Sequence, residues 1–361
     1  MILKYGMNPY QDYAEIIDNS NALTLLSGNP SVINILDALN SWQLVKEVSQ
    51  TLNIECCTSF KHVTPSGVAI YKELNANEKR AYLIKNPLSK LATTYARARG
   101  TDRLASFGDF IALSHCVDKE TALLIKSEVS DGVIAPEFTN EALEILCSKK
   151  SGSYVIFQID KDFEPDEIES REIFGITIKQ KRNSLKVSDE NFSNVVTQNK
   201  TIPSDILSDL KLGILTLKYT QSNSICVVSK GHVIGIGSGQ QSRILCSNLA
   251  LTKANVWYQK CKMNYSFLNQ FENKKRTELD QLIELERQKQ YGDKILLNEL
   301  PDTCMLSDGF FPQKDNIELA YQFGIKYIAT PMGSIRDNEI IDTANNYGIE
   351  IINTGIRLFH H

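Results

Sequence analysis

Apolar residues at three- and four-residue steps mark the first long element. Ile35, Leu39, Trp42, Val45 and Val48 recur in that way between about 31 and 50, which predicts a helix with one face turned to a core. Helical patterning returns over 119–130 and 140–150, while 132–135 and 154–159 are short apolar runs that predict strands. The chain then turns polar from Asp160 to about Asp209 and reads as connecting chain. Beyond it, the apolar runs 214–217, 225–229 and 232–236 give the clearest strand signal, the last two meeting at Lys230-Gly231 as in a hairpin. A charged helical segment follows over about 269–294, and strands at 326–329 and 349–352 close the pattern. Helices alternating with short apolar strands predict an α/β layer fold in two halves, with polar loops facing a common cleft.

Chemistry enters at Ser59-Phe60-Lys61-His62-Val63-Thr64-Pro65-Ser66-Gly67-Val68-Ala69. Lys61 and His62 stand side by side after an apolar approach and before a Pro-Ser-Gly break, so the pair belongs at a strand end or in the turn after it. Histidine can carry a proton either way near neutral pH, and lysine can hold a developing oxyanion or protonate a leaving nitrogen. Taken alone, a Lys-His dipeptide is more often a surface pair. Two further stretches are ambiguous. Arg97, Arg99 and Arg103 could bind an anion, or could form a solvated loop paired with Asp102 and Asp109. Gly235-Ile236-Gly237-Ser238-Gly239 leads into a helix, but its glycine spacing is neither G-x-G-x-x-G nor Walker A. The loop 218–224 is unusually polar for a link between apolar runs.

Composition narrows the class. At 361 residues, 42% apolar and 23% charged, the chain suits a globular protein of two ordinary domains. A net charge of −4 gives no general pull toward nucleic acid or an anionic membrane, and no run reaches the ~18–20 apolar residues of a span. The start lacks the zones of a signal peptide. None of the eight cysteines forms a C-x-x-C pair, which fits reduced thiols in a cytoplasmic protein better than disulfides or zinc.

The blocks 4–11, 59–67, 95–114, 129–136, 218–224, 235–243, 307–312 and 357–361, in that order and spacing, resemble the AICAR transformylase family. That family is the formyl-transferring part of the bifunctional purine-synthesis enzyme acting on aminoimidazole carboxamide ribotide (AICAR). The resemblance implies tandem cytidine-deaminase-like three-layer α/β/α domains: 1–165, a connecting region 166–210, and 211–361 with a helical insertion near 265–300. It also implies a homodimer with sites near the interface. It implies catalytic roles for Lys61, His62 and Asn223, with Lys4, Tyr5, Asp131, Arg243, Phe310 and Arg357 on the nucleotide. Leu104, Phe107, Gly108, Ile244, Pro312, Asp315 and Ser334 fall where the 10-formyltetrahydrofolate cosubstrate lies. A structural potassium ion is implied near Thr220, Ser222, Ser224, Asp308 and His360, and no zinc, since the H-x-E and P-C-x-x-C ligands of true deaminases are missing. Departures from the family are Lys4 for arginine, Tyr10 for histidine, and Gln313, Lys314 and Met332 beside the folate. The inosinate cyclohydrolase domain, normally N-terminal, is expected to be absent, so ring closure would depend on a separate polypeptide. The alternative is a non-catalytic relative that binds nucleotide or folate as a regulatory subunit, which the retained Lys61, His62 and Asn223 argue against.

Overall fold

In order along the chain come strand β1 (Leu23–Ser27), helix α1 (Val32–Leu52), the hairpin β2 (Cys56–Lys61) and β3 (Thr64–Ile70), the short α2 (Ala76–Ala81) and α3 (Lys90–Gly100). Strands and helices then alternate: β4 (Asp109–Leu113), α4 (Lys119–Ser127), β5 (Ser130–Ala135), α5 (Asn140–Cys147) and β6 (Val155–Ile159). A separate hairpin, β7 (Ile168–Ile173) and β8 (Ile176–Lys181), precedes α6 (Ser204–Lys218), the hairpin β9 (Ile225–Ser229) and β10 (His232–Gly237), α7 (Arg243–Lys262) and α8 (Arg276–Tyr291). The last run is β11 (Cys304–Ser307), α9 (Asp315–Gln322), β12 (Tyr327–Thr330), α10 (Asp337–Tyr347) and β13 (Glu350–Asn353). The structure is a computed structural model describing residues 1–271 and 273–361. The fold is α/β.

Eleven strands form one mixed sheet in the order β1-β6-β5-β4-β2-β3-β10-β9-β11-β12-β13. Read outward from the centre, β3-β2-β4-β5-β6 and β10-β9-β11-β12-β13 have the same pairing. Each is an antiparallel hairpin whose first strand pairs antiparallel with a third, followed by two parallel strands reached through helical crossovers. The halves join where β3 and β10 pair antiparallel, Val68 with Val233 and Ala69 with His232. The repeat extends to detail. Both second strands bulge at the third residue past the turn and carry a glycine at the fourth, Gly67 and Gly235. A Cβ on Gly67 would lie 2.1 Å from the Ala98 carbonyl of α3, and one on Gly235 2.2 Å from the Ala250 carbonyl of α7, so each helix rests directly on strand backbone.

Side chains alternate between the two sheet faces as strand geometry requires. Phe110 and Ala112 of β4 face a core built with α1 and α6, which spans both halves. Ile111 and Leu113 face the other side, where Tyr95 of α3, Ile125 of α4 and Leu146 of α5 cover the first half. In the second half, Leu251 of α7, Ile317 of α9 and Ala344 of α10 do the same. The helix termini carry their own stops: Asp118 and Thr139 accept from the first turns of α4 and α5, and α10 ends on Gly348 in the left-handed region.

Three expectations change. The apolar run 214–217 is the last turn of α6, not a strand. Ile206, Leu210, Ile214 and Leu217 recur at helical spacing toward the core, and four apolar residues alone cannot distinguish a strand from a buried helical turn. Pro65-Ser66-Gly67 is no break, because β3 runs through it with Ser66 as the bulge. The polar connecting stretch holds β7 and β8, whose residues are exposed along their length and so leave no buried period to read.

The arginines of α3 and the turn after it are structural. Arg99 pairs with Asp109 (2.7 Å) and Glu128 (3.2 Å), Arg103 with Glu128 (3.1 Å) and Asp280 (2.7 Å), and Arg276 of α8 with Glu128 (2.7 Å). Three cations and three carboxylates thus share one buried network. Arg97 instead donates to the carbonyls of Ile70 (2.8 Å) and Lys230 (2.6 Å), across the joint between the halves. Burial pushes the Glu128 carboxyl up, but Arg103, Arg99 and Arg276 overcome that and hold it down to about 2. A depressed folded-state value contributes stability above the ordinary carboxylate range that is lost as pH falls toward 2. Glu128→Gln is therefore expected to lose about 3–5 kcal/mol at neutral pH, read from urea unfolding. Its stability should also fall less steeply than wild type between pH 5 and pH 2, and parallel slopes would contradict the assignment.

Candidate active site

Strand directions decide which loops meet. Take as upper the end where β2 finishes. By the pairing pattern β2, β10, β11, β12 and β13 end there, while β4, β5, β6 and β9 begin there. The upper end therefore collects the Lys61–Thr64 turn, the loop 101–108, the start of β5 at Asp131, the loop 219–224, the loop 238–242 with the start of α7, and the segments 308–314, 331–336 and 354–361. Lys4 and Tyr5 join them, because the Lys4 amide donates to Pro30 (2.8 Å) and Tyr5 accepts from Val32 (3.3 Å) at the start of α1. The residues that the resemblance implies for catalysis and binding belong to segments at this one end of the sheet, whereas Arg97 lies toward the other, beside Lys230.

Two clusters lie there. In the first, Lys61 is the last residue of β2 and His62 the first of a two-residue turn, as the sequence suggested. The Lys61 ammonium donates to the Phe107 carbonyl (2.7 Å), which ties it to the loop 101–108. Ser59 anchors that loop from below, its hydroxyl donating to Asp109 (2.5 Å) and sharing a hydrogen bond with the Ser106 hydroxyl (2.9 Å). Gly108 faces Asp131, which is exposed and paired with Lys150 (2.8 Å). Asp37 of α1 accepts from the Val63 amide (2.6 Å). Sequence reading missed Asp37 and Lys150; the only sign of Asp37 is a carboxylate on the apolar side of a helix.

The second cluster surrounds Asn223. Its amide donates to the Gln240 carbonyl (2.7 Å), and its carbonyl accepts from Arg243 Nη2 (2.7 Å). Arg243 is buried and also donates to Ser307 Oγ (3.1 Å) and to the fully buried Asp308. Three of its guanidinium hydrogen bonds thus go to protein groups, and one of them holds Asn223. Ser222 binds the chain terminus in both directions, donating its amide to His360 (3.1 Å) and accepting from the His360 amide (3.0 Å). Burial, then the neighbouring His361, lowers the proton affinity of His360. Arg357 is exposed and lies over the Phe359 ring (4.8 Å).

Of the residues expected near a potassium ion, Thr220 uses its hydroxyl on Thr216 (2.7 Å), and Asp308 takes the Ser224 amide (2.9 Å). The Ser224 hydroxyl is buried without a partner among the described residues. An orphaned oxygen beside a carboxylate and backbone carbonyls fits an oxygen-liganded cation. Leu104, Phe107 and Phe310 are 41%, 53% and 45% exposed, and Pro312, Gln313 and Lys314 are exposed beside the half-buried Asp315 and Ser334.

The two clusters are not in contact. β2 and β9 are three strand spacings apart, roughly 14 Å. Two cavities, of about 380 Å³ beside Arg97 and Lys230 and about 800 Å³ beside Trp42 and His115, open at the opposite end, and neither is lined by the residues that the resemblance implies for catalysis, nucleotide, folate or potassium. At the upper end of a single chain Leu104, Phe107, Phe310 and Arg357 are exposed.

Residues 1–253 match the family described as the AICARFT/IMPCHase bienzyme. The bifunctional purine biosynthesis protein PurH of Clostridium acetobutylicum is 33% identical over 368 residues, covering 100% of this chain and 59% of that protein. Its namesake from Staphylococcus haemolyticus is 29% identical over 366 residues, covering 99% of this chain and 61% of the relative. The chain thus spans about six tenths of the length of these curated relatives.

The geometry around Asp308 sets a testable order of stability. Arg243→Met leaves a buried carboxylate without its cation and is expected to cost about 3–5 kcal/mol. Arg243→Lys keeps the charge but cannot reach Asn223 and Asp308 together, so it should cost less. Denaturant unfolding of both variants checks this, and equal losses would assign the stability to packing alone.

Proposed function

The chain belongs to the AICARFT/IMPCHase bienzyme family, and on that premise we propose that it transfers a formyl group from 10-formyltetrahydrofolate to the 5-amino group of AICAR, giving formyl-AICAR. The observation that carries the reading is the convergence of the family-matched residues, drawn from segments across the whole chain, at one end of the sheet. Each then has a role its chemistry suits. The attacking amine is a poor nucleophile because its lone pair is delocalised into the imidazole and carboxamide. His62 takes its proton as it adds to the formyl carbon. Lys61 faces the oxyanion of the tetrahedral intermediate and supplies the proton that the folate nitrogen needs to leave. Asn223, fixed by Gln240 and Arg243, orients the amine and carboxamide. Lys4 and Arg357 offer exposed cations for the phosphate, and Tyr5 and Asp131 lie near the nucleotide. Arg243 and Phe310 complete the nucleotide side, and Leu104, Phe107, Gly108, Ile244, Pro312, Asp315 and Ser334 form the apolar and polar margin against which a flat pterin can lie. Potassium, if bound, would be held by Ser222, Ser224, Asp308 and the carbonyl of His360, and would supply charge that fixes the 222–224 loop beside Asn223.

The repeated strand order supports two cytidine-deaminase-like domains, the first ending with β6 and the second opening with α6. A homodimer with composite sites is part of the proposal. A two-stranded hairpin is marginal in water by itself, yet β7 and β8 stand exposed, with Ile173, Ile176 and Ile178 on one face and Phe174 98% exposed at the tip. A second copy is the occupant that buries such an arm while closing an open site.

Incubation with AICAR and 10-formyltetrahydrofolate is expected to give formyl-AICAR by mass, whereas binding without product would favour a non-catalytic relative. His62→Ala should lower kcat by about 10²–10⁴-fold while nucleotide binding survives, and Lys61→Ala should also cut turnover. Near wild-type kcat in both would refute the assignment. Sedimentation should give dimer mass, and Phe174→Glu with Ile176→Glu should yield inactive monomer; full activity at monomer mass would exclude composite sites.

A further inference from the structure

The turn that carries His62 is one that L-residues rarely make. His62 (φ 55°) and Val63 (φ 57°) are both left-handed, a conformation that costs about 1–2 kcal/mol per residue and suits a β-branched side chain least. Such a turn persists only where its surroundings hold it. The corresponding turn of the second half is built alike, with Lys230 (φ 52°) and Gly231 (φ 70°). In each half one buried carboxylate closes the turn from the preceding helix. Asp37, the sixth residue of α1, accepts from the Val63 amide at 2.6 Å. Asp209, the sixth residue of α6, accepts from the Lys230 and Gly231 amides, both at 2.6 Å.

We propose that Asp37 is a positioning residue for the Lys61–His62 pair, its carboxylate holding the left-handed turn so that His62 stays aimed at the upper end beside Lys61. The proposal rests on the reading of His62 as the proton acceptor. Burial pushes the Asp37 carboxyl up to about 6, with His62 on the turn opposing this and Asp131 on β5 and Asp109 on β4 adding to it. Asp209 is likewise raised to about 6 by burial. A desolvated carboxylate is a costly way to satisfy one amide. The two halves share that cost, but only the first spends it under a group that moves a proton. Asp209 is therefore a built-in control, since it closes the equivalent turn from the same helix position where no such group stands.

The test uses the full chain with Asp37→Ala, Asp37→Asn and Asp209→Ala, and reads kcat and KM for formyl transfer together with amide hydrogen exchange over residues 60–66. Asp37→Ala should lose about 10–100-fold in kcat, as small misplacements of catalytic groups do, with KM changed much less and faster exchange at the turn. Asp37→Asn, whose side-chain carbonyl can still accept from Val63, should recover most of kcat. Asp209→Ala should lose comparable thermal stability while keeping kcat within about threefold. If Asp37→Ala does not fold, Asp37→Glu, which keeps the charge but displaces the acceptor, should show the loss. Unchanged kcat in the Asp37 variants, an equal fall in Asp209→Ala, or unchanged exchange at 60–66 would each overturn the proposal. Should the wild type transfer no formyl group, the functional reading fails separately, and the exchange comparison still decides whether Asp37 holds the turn.

Discussion

The antiparallel joint between β3 and β10 is the constraint on which the rest of this molecule depends. It is short, with Val68 opposite Val233, Ala69 opposite His232, and the Ile70 amide donating to the Gly231 carbonyl (3.0 Å). α3 stitches it from one face: Arg97 spans the carbonyls of Ile70 and Lys230, and the Thr101 hydroxyl meets His232 and the Val233 carbonyl. Because the joined strands are antiparallel, the two halves point in opposite directions. One end of the sheet then gathers unlike loops, a hairpin turn and strand beginnings from the first half but strand endings from the second. The candidate site is asymmetric for that reason, although the scaffold beneath it repeats.

The upper-end loops are held by interactions that lie below them. The loop 101–108 has no regular structure, but Arg99 and Arg103 at its base are pinned by Asp109, Glu128 and Asp280. Ser106 is bonded to Ser59 two residues before Lys61. Exposed Leu104 and Phe107 can therefore stand in solvent without the loop losing its course. A buried ion network contributes little net stability against an apolar replacement, and its worth is in geometry that fails when one member is removed. α8 belongs to the same device, since Asp280 and Arg276 complete the charge balance, which gives the charged helical segment a reason to be docked where it is.

How much of this was legible follows from which interactions are local. The long helix α1, the hairpin at Lys230-Gly231 and the place of Lys61-His62 at a strand end all rest on spacings within a few residues, and sequence periodicity carries them. The α6 turn at 214–217 was misread because a fully buried helical turn and a buried strand have the same apolar composition. Asp109 was within reach of sequence reading as a partner for Arg99, ten positions away, but the other partners of Arg97, Arg99 and Arg103, among them Lys230, Glu128 and Asp280, lie 25 to 177 positions away. Asp37 left no local mark either. Its partner is the amide of Val63, and a backbone amide has no identity in sequence. The candidate site residues themselves were named through family resemblance, and their convergence at one end became visible only with the strand directions.

The shared turn geometry of the two halves also explains where function can reside. The bulges at Ser66 and Ile234, and Gly67 and Gly235, occupy equivalent places, so they answer to the fold rather than to chemistry, and Asp37 and Asp209 close equivalent turns. What differs is what the turn displays. The second half uses Lys230-Gly231, with glycine relieving the left-handed position. The first uses His62-Val63, which gives up that relief. A strained turn with no role would be expected to drift toward glycine or asparagine, because either stabilises the same backbone. That the costlier residues stand at the turn beside Lys61, and the relaxed ones at its counterpart, is the asymmetry that the proposed proton-transfer role of His62 would account for, with the second turn serving as scaffold.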